Sequence, residues 1–402
     1  MSKTDRDERG ELQDALPRVG GPAVPLDPSG ELHEIETDHI ELYMGPQHPS
    51  THGVLQLKVR LDGEWVVDVQ PHIGFLHRGV EKIAENRTYV QVLPLTDRLD
   101  YVAAIACNTA YCVAVEKLLG ITIPPRAELC RVIVQELERI ASHLISVGTF
   151  GLDLGATTPF IYAFRDREYV LDLLEMICGA RLTYSYVRVG GVAQDLPEGE
   201  WRERFRWFLD YFPPMVDEQD TLLSENEIFL LRTRGIGVLP PDVAINWGSS
   251  GPMARGSGVA YDLRRSKPYG LYPQLDFNVV TRETGDALAR YQVRIDEMRE
   301  SIKILRQCDR LLDEIPPGEI MAKGARAVRP PAGEAYAAVE SPRGEMGAYI
   351  ISDGSNTAYR MKWRSPSFAN LSVLPVISRG WKIADLVMIL GSIDPIFGDV
   401  DR

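Results

Sequence analysis

The sequence predicts an α+β protein: a central bundle of long helices with β-hairpin regions toward both ends. Three observations predict it. Apolar residues alternate on both sides of Asp62-Gly63, the period turns helical from about Gly79 to Gly179, and alternation returns around Asp353-Gly354.

Taken in order, residues 1–36 mix Asp, Glu, Arg, Gly and Pro without periodicity and read as a flexible arm. Ile40, Leu42 and Met44 alternate before a Gly-Pro-Gln-His-Pro-Ser-Thr-His-Gly stretch, and Leu55, Leu57, Val59 and Leu61 alternate up to Asp62-Gly63. Trp65, Val67 and Val69 continue the pattern beyond it, so Asp-Gly marks a hairpin turn. A first helix runs through Val102, Ile105, Thr109, Val113 and Glu116 and stops at Gly120. Pro124-Pro125 opens a second, with Leu129, Val132, Ile133, Leu137, Ile140, Ala141 and Leu144 on one broad face. Thr158-Pro159 reads as an N-cap followed by proline at the first helical position of a third, which ends at Gly179. Leu288, Tyr291, Ile295, Met298, Ile302 and Leu305 form the seam of a long helix packed within the same chain. Gly248 to Gly258 reads as a loop, and Arg234-Gly235-Ile236-Gly237 as a turn, since Pro240-Pro241 stands where a dinucleotide-binding helix should begin. Tyr349 and Ile351 before Asp353-Gly354, with Tyr359, Met361 and Trp363 after it, make a second hairpin. The expected organisation is therefore an arm at 1–36, an N-terminal β region at 37–78, a helical bundle at 79–235 and a C-terminal α+β region at 236–402.

Composition narrows the function. Of 402 residues 45% are hydrophobic, and 57 acidic against 44 basic side chains leave a net charge of −13. That sign argues against nucleic acid and against direct docking on anionic lipid, both of which need clustered Lys and Arg. The best candidate membrane span, Val102 to Val115, is cut by Asn108 and Thr109 and falls short of the ~18 apolar residues required. Any membrane association is expected to run through partners. Met1 to Gly10 are polar with no apolar stretch behind them, so no secretory leader and a cytoplasmic site of action are expected. Five scattered cysteines, with no Cys-x-x-Cys pair, fit a reducing compartment and neither a disulfide framework nor a thiolate metal site.

Three places concentrate chemistry. His48 and His52 flank Pro49-Ser50-Thr51. Their spacing brings two imidazoles together on a helix, but Pro49 and the flanking strands make this a loop, which leaves a metal site, satisfied loop histidines or an acid-base loop open. Thr96-Asp97-Arg98-Leu99-Asp100-Tyr101 gathers two carboxylates, a guanidinium and a phenol near a helix start. That density suits helix capping with an Arg98 pair, or the binding of a polar head group to which a phenol donates. Asp153 is the one acid in the apolar loop Gly151 to Ala156, so it should have a cationic or imidazole partner.

Five ordered stretches taken together resemble the 49-kDa, or D, subunits of respiratory complex I, from about Leu42 to Arg402. They are Gly45 to Gly53, Leu76-His-Arg-Gly-Val-Glu-Lys82, Asp97-Arg-Leu-Asp-Tyr101, Glu340-Ser-Pro-Arg-Gly-Glu345 and Asp394 to Arg402. The wider family includes the large subunit of nickel-iron hydrogenases, and the resemblance implies that fold. Hydrogenases hold nickel and iron with two Cys-x-x-Cys pairs. Here those positions correspond to Asp100, Ala103, Ile396 and Asp399, with Arg402 at the closing histidine, so the soft ligands are gone and no metal is expected.

The resemblance implies a quinone head-group site in the vacated cavity, shared with the B subunit that carries a [4Fe-4S] cluster, with the C subunit and the membrane H subunit as further partners. It implies that Tyr101 and His52 hydrogen-bond the head group and that Asp153 partners His52. Arg78, Glu81, Arg98, Asp100, Thr149 and His48 are weaker candidates for the pocket or proton path. The chain would bind no cofactor of its own, take quinone as substrate and work on the cytoplasmic side of the cell membrane in a proton-translocating NADH:quinone oxidoreductase. Thr183 stands where relatives commonly carry histidine near the neighbour's cluster, and threonine does not titrate near neutrality. The alternatives are the equivalent subunit of a complex fed by ferredoxin or another donor, and a scaffold without catalytic residues. The intact His52, Tyr101 and Asp153 set speaks against the scaffold.

Overall fold

Alternation around Asp62-Gly63 builds an antiparallel sheet in the order β1 (Ile40–Met44), β2 (Gln56–Asp62), β3 (Trp65–His72) in the computed structural model, which describes residues 39–323 and 328–402. The arm expected at 1–36 lies outside the described residues. A register shift between Arg60 and Leu61 turns the inward face of β3 to Val66 and Val69, so the continuous alternation expected from Trp65 is broken by a bulge. In β1 only Met44 is buried; Ile40 and Leu42 face outward.

Helices then follow: α1 (Val80–Glu85), α2 (Tyr89–Thr96), α3 (Ala104–Leu119), α4 (Pro125–Leu152), α5 (Thr157–Cys178) and α6 (Glu200–Ser224). Gly120 and Gly179 stop α3 and α5 in left-handed conformations, as read from the sequence. The start of α5 differs. Ala156 is its N-cap, so Pro159 lies at the third helical position, where its missing N–H still costs no helical bond. Nothing in the periodicity assigned α6, whose interior contains Pro213-Pro214. The Leu209 carbonyl, which loses the Pro213 N–H, accepts instead from the Arg306 guanidinium at 3.0 Å.

The long seam from Leu288 is α7 (Ala287–Glu314), which packs along α4 as expected. The Gly248 to Gly258 stretch is not wholly loop, because Pro252–Gly256 forms a short helix started by proline. The second hairpin is part of a three-stranded antiparallel sheet, β4 (Gly333–Ser341), β5 (Gly344–Ser352) and β6 (Arg360–Arg364), which packs on α3. The chain closes with α8 (Pro366–Leu371), α9 (Ile383–Ile393) and α10 (Phe397–Asp401).

One apolar core runs through the long helices and the second sheet; a smaller one joins the first sheet to α9 and α10. The candidate residues lie along the join. No helix among the described residues is long and apolar enough to cross a membrane.

Candidate active site

The loop between β1 and β2 is stapled by Thr51, a fully buried residue whose hydroxyl donates to the His48 and Gly53 carbonyls at 2.8 and 3.0 Å. It turns through Pro49–Thr51 as a single 3-10 turn and leaves His52 in the left-handed region at φ 54°. His52 Nε2 lies 2.7 Å from Asp153 Oδ2, just beyond the C-terminus of α4, and the two side chains are only 13% and 11% exposed. This is the imidazole partner expected for Asp153. Burial, the largest influence, pulls the His52 pKa down, but the hydrogen bond and charge of Asp153 and the charge of Asp394 outweigh it, so the net shift is upward.

Tyr101 lies in the link between α2 and α3 and remains 36% exposed. Burial and the charge of Asp100 raise its phenol pKa; Arg343 and Arg78 oppose them, and Asp394 adds to the rise. The phenol is thus protonated at neutral pH and available as a donor. The charge of Asp394 raises the pKa of both Tyr101 and His52.

Next to Tyr101, Asp100 belongs to a buried ion cluster. Asp100 Oδ1 accepts the Val102 and Ala103 N–H groups, each at 3.1 Å, and so fixes the turn that leads into α3. Its Oδ2 takes Arg343 at 2.9 Å, while Arg343 also reaches Asp394 at 3.2 Å and donates to Ser142 Oγ at 3.0 Å. Burial and the nearby Asp100 charge push the Asp399 pKa up to about 6, against hydrogen bonds from Ser365 and Ser367. Among the described residues no group of three or more His, Cys, Asp or Glu side chains is arranged to hold a metal ion.

The last helix ties these pieces together. Gly53 and Gly398 show where: a Cβ on Gly53 would sit 2.7 Å from the Phe397 ring, and one on Gly398 would sit 2.5 Å from the Leu99 carbonyl. α10 is therefore wedged between the His52 loop and the Tyr101 loop. Asp401 accepts the Gly74 and Leu76 N–H groups at 2.9 and 2.7 Å, which fixes the loop ahead of Arg78.

The other candidates serve this frame. The Arg78 guanidinium donates to the Arg98 carbonyl, and Arg98 turns its own guanidinium, 49% exposed, to the Pro94 carbonyl at 2.6 Å. Glu81 accepts the Trp363 N–H at 3.0 Å and pairs with Lys362 at 3.1 Å and more loosely with Arg402 at 3.6 Å. Thr149 donates to the Ile145 carbonyl one turn back, while its own carbonyl holds the Asp153 N–H at 3.1 Å. His48 is exposed, and its ring nitrogen accepts the Ser50 N–H at 3.2 Å, which caps the 3-10 turn. Arg343 and Asp394 were not singled out from the sequence. The signal was present: buried acids near Asp100 need a cation, and Pro-Arg-Gly at 342–344 offers one.

The family described as "Respiratory-chain NADH dehydrogenase, 49 Kd subunit" matches residues 153–331 and 323–402. The D subunit of NADH-quinone oxidoreductase from Dehalococcoides mccartyi strain 195 is 51% identical over 369 residues, covering 92% of this chain and 100% of the relative. The chain belongs to this 49-kDa subunit family. The corresponding D subunits of Desulforamulus reducens and Chlorobaculum tepidum are similarly close, 51% identical over 367 residues (91% of this chain, 99% of the relative) and 52% over 375 (92% and 94%).

For this 49-kDa family member the ion cluster makes a stability prediction. Arg343→Leu leaves Asp100 and Asp394 buried without their cation, and breaking a buried pair costs about 3–5 kcal/mol. The substituted complex should lose the subunit on mild heating, read as an earlier loss of co-purification. Unchanged retention would show that the cluster does not hold the site together.

Proposed function

We propose that this chain forms the quinone head-group site of a proton-translocating NADH:quinone oxidoreductase and supplies the protons for quinone reduction. The observation that carries this reading is the His52–Asp153 pair, 2.7 Å apart and largely shielded from solvent, in the same chain as a partly exposed Tyr101 phenol that is protonated at neutral pH. Reduction of a quinone to a quinol takes two electrons and two protons, one at each oxygen. Electrons come from the [4Fe-4S] cluster of the neighbouring B subunit. His52, whose hold on its proton Asp153 strengthens, donates at one oxygen; Tyr101 donates at the other as negative charge builds there. A phenol of ordinary pKa about 10 is a poor acid until then, so its transfer is coupled to electron arrival. Loss of the His52 proton leaves Asp153 unbalanced, and that change of charge is the proposed first step of coupling to the membrane subunits.

The fold that goes with this reading is that of a nickel-iron hydrogenase large subunit, with 37–78 supplying the His52 loop, 79–235 the helical body and 236–402 the closing half. Carboxylates at Asp100 and Asp399, balanced by Arg343, stand where that fold would carry thiolates, a donor set suited to neither nickel nor an iron-sulfur cluster. The B, C and membrane H subunits are the proposed partners, and through them the chain sits on the cytoplasmic side of the membrane.

A short-chain azidoquinone tests the location. Irradiated in the membrane-bound complex, it should label this chain within 45–53, 97–103 or 149–155, and excess quinone should suppress the label. Labelling confined to other subunits would remove the reading.

A further inference from the structure

The face of α9 turned toward the His52–Asp153 pair carries a glycine. A Cβ on Gly391 would lie 2.5 Å from Asp153 Oδ2, 3.2 Å from Phe150 Cδ2 and 3.4 Å from His52 Nε2. Asp153 Oδ2 is the same oxygen that meets His52 at 2.7 Å. Gly391 is buried in the last turn of α9, where glycine is a poorer helix former than alanine. Its presence there needs a steric reason, and the contact supplies one.

We propose that Gly391 is a positioning residue for quinone reduction, its missing side chain being what lets the Asp153 carboxylate reach His52. The proposal rests on the reading of His52 as a proton donor. The helix cannot yield in place of the carboxylate, because its far side is fixed. Arg290 Nε donates to Ser392 Oγ at 2.9 Å, and Arg294 donates to the Ser392 carbonyl at 2.8 Å, both from α7. Behind α9, a Cβ on Gly237 would already sit 2.6 Å from Ile389, so the turn at 234–237 leaves no space for α9 to back into. Asp394, at the end of the helix, is held by Arg343. A methyl group at 391 must therefore displace Asp153, the end of a short side chain.

The expected consequence has a sign. The charges that act on His52 are Asp153, in contact from the end of α4, and Asp394 at the end of α9, which pairs with Arg343 at 3.2 Å and whose charge also reaches Arg294. Moving Asp153 away removes the hydrogen bond and weakens the larger of the two charge effects that favour the imidazolium, while burial, which disfavours it, remains. The alkaline limb of quinone reduction then moves to lower pH.

The experiment compares Gly391→Ala, Asp153→Asn and the double variant in the whole complex. Gly391→Ala should oxidise NADH with an artificial acceptor normally, reduce quinone on the order of 100-fold more slowly and shift its alkaline limb down. The losses in the double variant should fall short of the product of the single ones, since both changes act on one interaction. Wild-type turnover and pH profile in Gly391→Ala beside an impaired Asp153→Asn would overturn the proposal alone, as would losses that multiply in the double variant. Wild-type behaviour in Asp153→Asn would remove the donor reading and this proposal with it. If Gly391→Ala does not assemble, Asp153→Ala in the same chain clears the collision and should restore assembly. Failure to restore it would overturn the proposal.

Discussion

Tyr101→Phe, introduced into the assembled complex, slows quinone reduction on the order of 100-fold or more while NADH oxidation by an artificial acceptor stays normal, because a positioned general acid contributes at least that factor. The substitution removes one oxygen and leaves the ring. Tyr101 is partly exposed and no hydrogen bond from its hydroxyl holds the fold together among the described residues, so assembly should be intact. The frame beneath it depends on Asp100 and Arg343, which are untouched. Because the neighbouring charges raise the phenol pKa, the tyrosine is the protonated partner throughout the neutral range. The residual rate in Tyr101→Phe should accordingly keep the wild-type pH dependence through the neutral range. Quinone reduction at the wild-type rate would end the donor role of Tyr101.

Which parts of this site were legible in the sequence follows from how each residue meets its partner. Asp153 was legible because a lone carboxylate in an apolar loop is costly enough to demand an imidazole or cation. The turn at Asp62-Gly63 and the stops at Gly120 and Gly179 were legible because they are local, each set by a residue that accepts a left-handed backbone. Arg343 is 243 residues from Asp100, and no periodicity encodes a pairing at that distance. α6 was hidden by Pro213-Pro214, since the compensating Arg306 lies on another helix. Gly391 was hidden because a glycine in a helix looks like a small flaw until the carboxylate beyond it is seen. The resemblance to the family supplied the link between His52, Tyr101 and quinone; the residues alone left several readings open.

His52→Ala and Asp153→Asn both slow quinone reduction, but they differ in their dependence on pH. His52→Ala removes the donor and should lose on the order of 100-fold or more where wild-type His52 is protonated. Asp153→Asn keeps the imidazole and nearly the same shape while deleting the charge. The wild-type His52 pKa is raised because Asp153 and Asp394 together outweigh burial; without the Asp153 charge, burial gains and the pKa falls. A raised pKa holds the proton on His52 to higher pH, so its fall starves the reaction first at the alkaline side. Asp153→Asn should therefore approach wild-type turnover as pH is lowered and fall steadily behind as pH is raised, whereas His52→Ala, with no imidazole to titrate, loses that alkaline limb and its gap to wild type narrows as pH rises. Proton inventory and orientation separate here: an Asp153 that only aimed the ring would give a loss independent of pH. Parallel profiles for Asp153→Asn and wild type would thus leave Asp153 as an orienting group and take the charge change at this pair out of the coupling scheme.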